Sequence, residues 1–388
     1  MACRRILRLR EKGAAPETVT SPTRFSLLFA AQFASLGAAL PFIPVVLSAG
    51  GLTATQLGMV LALGSVTRLL TSPASARLAD AWGMRAVMVA GAVLAAITLP
   101  GMALLQGFAI LLLVQFVHSV GVAPVVPLSD AAAIAEMRRR PFDYGRVRAW
   151  GSIAFIASAV AAGQLVSLTG PAAALWLATA CLVATALVAA GLPEPPGPRT
   201  RPTGGVWEPL RHAGFRRLLP ASALIQGSHA MYYGFATLHW QAAGLSAGTI
   251  GFLWAWGVVV EVALFLWGRR LVERLGARGL ATLAAGAGVL RWGVTGATTE
   301  LVPLFLAQSL HALTFGAMHL AAIRALGALP AGLGARAQTL HASLGVGLAS
   351  GALVLASGPL YAALDGHAFW VMAGLCAAGV VAGLRLRG

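Results

Sequence analysis

The 388-residue chain is poor in charge: only 10% of its residues are Asp, Glu, Lys or Arg, against roughly 25% in an ordinary soluble domain. Acids are the scarcer sign, 12 against 28 basic residues, and a single lysine, Lys12, stands among those 28. With 58% of the chain hydrophobic and a mean hydropathy of +0.80, one water-soluble globule is excluded. Cysteine is scarce too. Cys3, Cys181 and Cys376 lie far apart with no CxxC, so neither a zinc site nor a disulfide framework is indicated. There is no HExxH and no clustered set of metal ligands, and the GxSxG match Gly244-Leu245-Ser246-Ala247-Gly248 lacks the strand-to-helix setting of a nucleophile elbow. An integral membrane enzyme therefore has no motif to support it, and no metal or cofactor is expected.

What the chain does have is apolar runs of bilayer length. They fall at about 25–48, 55–76, 86–106, 108–130, 148–169, 171–191, 218–240, 248–268, 279–298, 301–324, 337–360 and 367–385. The fold class they predict is an all-α integral membrane protein of twelve transmembrane helices. Short links carry turn formers, such as Gly50-Gly51 and Thr169-Gly170-Pro171. The basic start, MACRRILRLREKG, leads into polar residues instead of an apolar core with a cleavage site, and reads as a retained tail.

A formal net charge of +16 invites a nucleic-acid reading. The placement of the charges removes it. Twenty-four of the 28 basic residues fall on one set of alternate loops and none on the other set, where the acids are Glu300 and Asp365. By the excess of Lys and Arg on cytoplasmic loops, both termini are expected in the cytoplasm, with the chain in a bacterial inner membrane. The expected partner at this point is the bilayer, with a monomer as the working unit.

The longest connection, LPEPPGPRTRPTGGVWEPLRHAGFRR, divides the chain into two halves. The expected parts are a tail (1–24), a six-helix bundle (25–191), a linker (192–217) and a second six-helix bundle (218–388). A repeat supports the division. Asp80, Gly83 and Arg85 follow span 2, and Glu273, Gly276 and Arg278 follow span 8, both as acid-x-x-Gly-x-Arg and 193 residues apart. In each copy the acid can accept from the next helix's N-terminus, the glycine permits a tight turn and the arginine faces the cytoplasm. An ordinary charged turn is the plainer reading of one copy; two copies point to a duplicated transporter whose turns take part in switching.

This turn resembles the signature between spans 2 and 3 of the major facilitator superfamily, with Ala76 where that pattern has glycine and Ala81 where it has a basic residue. The segments 127–155, 228–265 and 308–326 are similar to those of the 3-phenylpropionic acid transporter group, relatives of the lactose permease-type oligosaccharide and nucleoside proton symporters. The resemblance covers residue 25 to the C-terminus. It implies two pseudo-symmetric bundles and secondary transport, and fold alone does not fix the substrate.

Four arginines remain inside spans, Arg68, Arg148, Arg291 and Arg324, with Asp130 and Glu261 as acids at comparable depth. Ionisable groups there cost about 2.5–3.5 kcal/mol each on insertion scales and are functional candidates by default. Arg324 is close enough to a helix end to snorkel. Three deep arginines against two acids favour an anionic solute over a neutral sugar. Asp130 and Arg148 are separated by 18 residues across the hairpin MRRRPFDYGR. The resemblance implies that this pair contacts substrate and that the ring of Phe155 stacks on it; the alternative is a salt bridge tying spans 4 and 5. Arg148 can clamp a carboxylate through its planar fork.

Glu261 stands mid-span in GVVVEVALFLW. Arg291 and His311, 20 residues apart, agree in spacing with the proton-coupling arginine and histidine that the resemblance implies. The carboxyl that follows that histidine by three residues is Thr314 here, and Glu261 is displaced by about one turn, so coupling falls to Glu261 with His311. A structural ion pair with Arg291 is the other reading. In span 7, His229, Tyr233, Ala236 and Trp240 form one helical stripe with Tyr232 beside it, suited to an aromatic solute or to packing with an interfacial Trp. Gln32 and Gln226 lie on helices that line the cavity in this superfamily. His118, His319 and His341 read as packing residues, and the facing of Arg68 is open. The function expected is uptake of a small organic anion, such as a phenylpropionate-like carboxylate, with a proton. A sugar or nucleoside symporter and a carrier exporting amphipathic drugs are the alternatives.

Overall fold

The computed structural model describes residues 21–194, 205, 207–330 and 332–386. Most of the basic tail, Cys3, Lys12, Arg199, Arg201 and Arg387 lie outside the described residues. The described chain is helical and contains no strand. Its helices group into twelve rods joined by short turns. In the first half these are α1 (Ser21–Ala39, continued after a bend by Ile43–Ala49), α2 (Ala54–Trp82), α3 (Met84–Leu104), α4 (Phe108–Arg139), α5 (Tyr144–Thr169) and α6 (Ala172–Ala190). In the second they are α7 (Ala213–Gly227, continuing to Ala242), α8 (Ala247–Trp267), α9 (Arg269–Ala297, broken by a kink at Gly276), α10 (Leu301–Gly327), α11 (Gly334–Leu364) and α12 (Ala368–Leu384).

Local chemistry explains the ends and breaks. Thr53 opens α2 with a reciprocal cap, its hydroxyl accepting from Gln56 N at 3.3 Å while Thr53 N donates to Gln56 Oε1 at 3.0 Å. Asp143 opens α5 by accepting from Arg146 N at 3.1 Å. The 41° bend in α1 falls where Pro41 and Pro44 remove backbone donors. Ten of the rods pass the length and hydropathy test for a membrane span, alone, as a bent pair or, for α11 and α12, as one 49-residue stretch. The other two are α7, broken by Pro220 and a π-helical turn, and α9, whose first turns carry Arg269, Arg270, Arg274 and Arg278.

Small residues let the rods approach closely, as membrane helices require where hydrophobicity alone cannot drive association. Within the first half, Gly37 of α1 lies so near Phe155 O of α5 that a Cβ would stand 2.4 Å from it. Between the halves, α2 meets α11 where a Cβ on Gly58 would lie 3.0 Å from the Gly358 Cα, and α5 meets α8 where Gly163 faces Gly248 and Gly251. Gly248 N donates to Ser167 Oγ across that seam at 3.0 Å. These glycine contacts lie at the end of the bundle away from the first and last described residues. No ion pair among the described residues joins one six-helix half to the other, and two of them, Arg85 with Glu194 and Arg336 with Glu208, tie a half to the linker.

The repeated turn differs from expectation in one respect. Gly83 and Gly276 do take positive φ, +90° and +59°, which a side chain would strain. The acid of the turn, however, does not cap the following helix. Asp80 is exposed, and Glu194, just past α6, accepts from Met84 N at 2.7 Å and Arg85 N at 3.2 Å. Arg85 turns back to Glu194 at 3.8 Å and to Leu192 O at 3.3 Å. In the second copy Glu273 takes Arg269, four residues back, at 2.7 Å. The reason is reach: the last turn of α2 points Asp80 away, while a chain returning from α6 delivers a carboxylate onto the exposed N–H groups.

Candidate functional site

Between the halves, a cavity of about 470 Å³ is walled by α1, α2, α4, α7 and α11. Two clusters of ionisable groups, one in each half, stand outside that cavity's wall.

In the first half the Asp143 cap fixes the start of α5, so Tyr144 and Arg148 rise from its first turns beside Asp130 of α4. Arg148 Nε lies 3.6 Å from Asp130 Oδ1, and Tyr144 OH donates to the same oxygen at 2.8 Å. The Arg148 guanidinium stacks 3.9 Å from the centre of the Phe33 ring and 5.3 Å from that of Phe29. Gly151, one turn on, leaves room for this: a Cβ there would stand 3.0 Å from Arg148 Nη1 and from Phe33. The pair is about one-third exposed, 30% for Arg148 and 35% for Asp130. Gln32 is buried nearby, accepting from Ser129 Oγ at 3.2 Å, with its Nε2 unpartnered. Phe155 is half-buried on α5, and its carbonyl forms the contact with Gly37.

In the second half the cluster is dense. Arg291 is fully buried and donates to His311 Nδ1 at 3.0 Å, Thr314 Oγ1 at 2.9 Å and Gln308 Oε1 at 2.6 Å. Its guanidinium lies over Trp292 at 4.3 Å and Tyr232 at 4.8 Å. Because His311 Nδ1 receives the guanidinium proton, its own proton sits on Nε2, facing Glu261 Oε2 at 3.3 Å. Arg291, His311 and Glu261 thus form a relay in which a neutral ring joins a cation to a carboxylate. His229 belongs to the same network. Its Nδ1 faces the carbonyls of Ile225 and Gln226 at 3.2 Å, leaving Nε2 to accept from Thr314 Oγ1 at 3.2 Å. Glu261 also lies within electrostatic range of His319, two turns beyond His311, and of Arg148 in the opposite half.

π-helical turns interrupt α7 at Tyr232–Ala236, α10 at Ala312–Ala317 and α11 at His341–Leu348. Such turns are frequent at functional sites. The first rotates the expected stripe of span 7. Tyr233 lines the cavity and stacks on His229 at 6.1 Å, whereas Trp240 is buried against Tyr232 and is not an interfacial residue.

The comparisons with known proteins agree with this architecture. The family model of the MFS_1 like family matches residues 23–372. The chain belongs to that family, within the major facilitator superfamily. This MFS_1 like protein is 36% identical over 365 residues to the "Probable 3-phenylpropionic acid transporter" of Escherichia coli (strain K12), covering 92% of the chain and 95% of the relative. It is 27% identical to the "Maltose permease" of Geobacillus stearothermophilus, over 72% and 71% of the two chains. Among solved structures, nucleoside transporter NupG superposes with a TM-score of 0.83 at 16% identity, covering 95% and 99%. A bacterial homologue of the lysosomal transporter Spinster gives 0.70 at 15%, covering 96% and 93%. The twelve-helix fold expected from the sequence is the fold of this transporter family, a multi-pass membrane protein.

Within this MFS_1 like protein, the structure brings together Asp130 with Arg148, Arg291 with His311 and Glu261, and His229 with Tyr233. Gln226 is buried with its Oε1 unpartnered and is absent from the cavity wall. Three members escaped sequence reading, Tyr144, Gln308 and Trp292, and His319, read as a packing residue, lies within electrostatic range of Glu261. Tyr144 lay inside the hairpin motif and Trp292 next to Arg291. Gln308 and His319 lie one turn before and two turns after His311, on its face of α10. His341 is held by Ser222 Oγ at 2.7 Å and His118 by Ala95 O at 3.2 Å, as packing residues are. Arg324 is exposed and donates to Val272 O at 3.2 Å.

Proposed function

We propose that this family member is a secondary active transporter that takes up a small organic anion, an aromatic carboxylate of the phenylpropionate kind, together with a proton, by alternating access. The observation that carries the reading is the position of Glu261, a membrane-embedded carboxylate 3.3 Å from a histidine that a buried arginine holds in place. A proton on Glu261 removes its charge and its attraction for His311, which lowers the cost of closing the halves around a dry site. Loss of that proton restores the pair. Arg148 of the other half lies within electrostatic range of Glu261, so a change of charge balance around Arg148 is sensed by the proton site. The excess of three deep arginines over two acids suits an anion, and the 36% identical relative is named for phenylpropionic acid.

In this reading the bundles 25–191 and 218–388 rock about the midplane site on the 192–217 linker, with the turns at Asp80–Arg85 and Glu273–Arg278 flexing between them. The strict one-sided placement of the basic residues supports cytoplasmic termini and a bacterial inner membrane. Measuring accumulation of radiolabelled 3-phenylpropionate in vesicles, with the pH gradient and the membrane potential collapsed separately, tests it. Accumulation is expected to fail without the pH gradient. Indifference to that gradient would remove proton coupling, and absence of uptake across a panel of aromatic carboxylates would remove the substrate class.

A further inference from the structure

Of the three deep arginines, Arg148 is engaged by Asp130 and Phe33, and Arg291 is enclosed by His311, Thr314 and Gln308. The third, Arg68, is on the wall of the cavity between the halves, where its Nη2 donates to Ser65 Oγ at 3.5 Å. Leu61, Ser65, Arg68 and Leu69 form one stripe of α2, at steps of four, three and one, and all four line that cavity. Gln115 of α4 meets the same wall. It is 92% buried, and its Oε1 has no hydrogen-bond partner. Gly64, one turn before Arg68, makes space for its amide: a Cβ there would stand 2.2 Å from Gln115 Nε2. Facing this polar pair are Ser343 and Ser350 of α11 and the ring of Tyr233 of α7, and the rest of the lining is largely apolar. A volume of about 470 Å³ is in the range of small-molecule sites.

We propose that Arg68 and Gln115 form the subsite that takes the substrate's carboxylate, with the aromatic body lying against Tyr233 and the apolar wall. The inference rests on the reading of an anionic cargo and adds to it where the anion is held. The guanidinium takes the carboxylate oxygens as a charge-assisted pair, and the Gln115 amide, whose two ends are interchangeable in shape, donates to one of them. A ligand here touches α2 and α4 of one half and α7 and α11 of the other, so it bridges the surfaces that separate in rocking. It is also joined to the proton site by rings: Tyr233 stacks on His229 at 6.1 Å, and His229 meets His311 at 5.8 Å.

The test is binding of 3-phenylpropionate and its uncharged isostere 3-phenylpropanamide to the purified full-length protein, with thermal melting as the folding control. Wild type is expected to prefer the acid. Arg68→Gln should lose ~10–100-fold in affinity for the acid and leave the amide unchanged. Arg68→Lys, which keeps the charge, should retain most of the preference, and Gln115→Leu should lose ~3–10-fold for the acid. Arg148→Gln should keep the acid-over-amide preference. If Arg148→Gln abolishes that preference while Arg68→Gln or Gln115→Leu preserves it, the subsite is wrong and the anionic cargo stands. If wild type binds neither this acid nor any other aromatic carboxylate tried, the anionic-cargo reading fails and the subsite falls with it.

Discussion

In the first half, Arg148 meets its acid at 3.6 Å with about a third of each side chain exposed and an aromatic ring against the guanidinium. In the second, Arg291 is fully buried, and its direct partners are a histidine, a threonine and a glutamine, with the acid one ring further away. The first arrangement is an ion pair that can open at small cost, because about a third of each partner is exposed. The second is a fixed cation on a scaffold of neutral groups, with one carboxyl at its edge free to change charge without dismantling the rest. A symmetric fold has thus placed a part-exposed ion pair in one half and an anchored, buried cation in the other.

Breaking the relay should have the largest effect. Arg291→Met leaves His311, Thr314 and Gln308 buried without their donor, and a loss of about 1–3 kcal/mol of stability is expected for each acceptor left unsatisfied. Melting of the purified protein checks it; an unchanged melting temperature would mean that the network is not structural. Thr314→Val should cost less, about 1–3 kcal/mol, since it strips one partner each from Arg291 and His229. Opening the exposed pair should barely register in stability. Asp130→Asn is expected to change it by less than about 1 kcal/mol while altering uptake, which separates a substrate role from a tie between α4 and α5. Tyr144→Phe is the mildest probe, removing one hydrogen bond worth about 0.5–1.5 kcal/mol, partly recovered because water reaches the carboxylate. A stability loss for Asp130→Asn as large as that for Arg291→Met would abolish the contrast between the halves.

Much of this was legible in the sequence because membrane spans are dictated by length and by charge placement, both one-dimensional properties. Twelve runs became twelve rods, and the spacing of Asp130 and Arg148 survives as contact because one short hairpin joins their helices. The second cluster was only half legible. Glu261 stands about one turn from the position the resemblance implies, yet it reaches His311 because α8 and α10 pack side by side, a distance no spacing along the chain records. Trp240 was misplaced because a π-helical turn in α7 rotates everything after it, and Glu194 took the role given to Asp80 because the cap arrives from a distant part of the chain. Arg68 was undecided for a similar reason: its facing depends on how α2 rotates against α4, where Gly64 admits Gln115.

The central claim is that Glu261 carries the proton while substrate binding and rocking belong to the rest of the site. Glu261→Gln, reconstituted in vesicles and loaded with 3-phenylpropionate, measures it most directly. Exchange of internal for external substrate is expected to continue near the wild-type rate while accumulation against a gradient is lost. Accumulation driven by the pH gradient in that variant would contradict it.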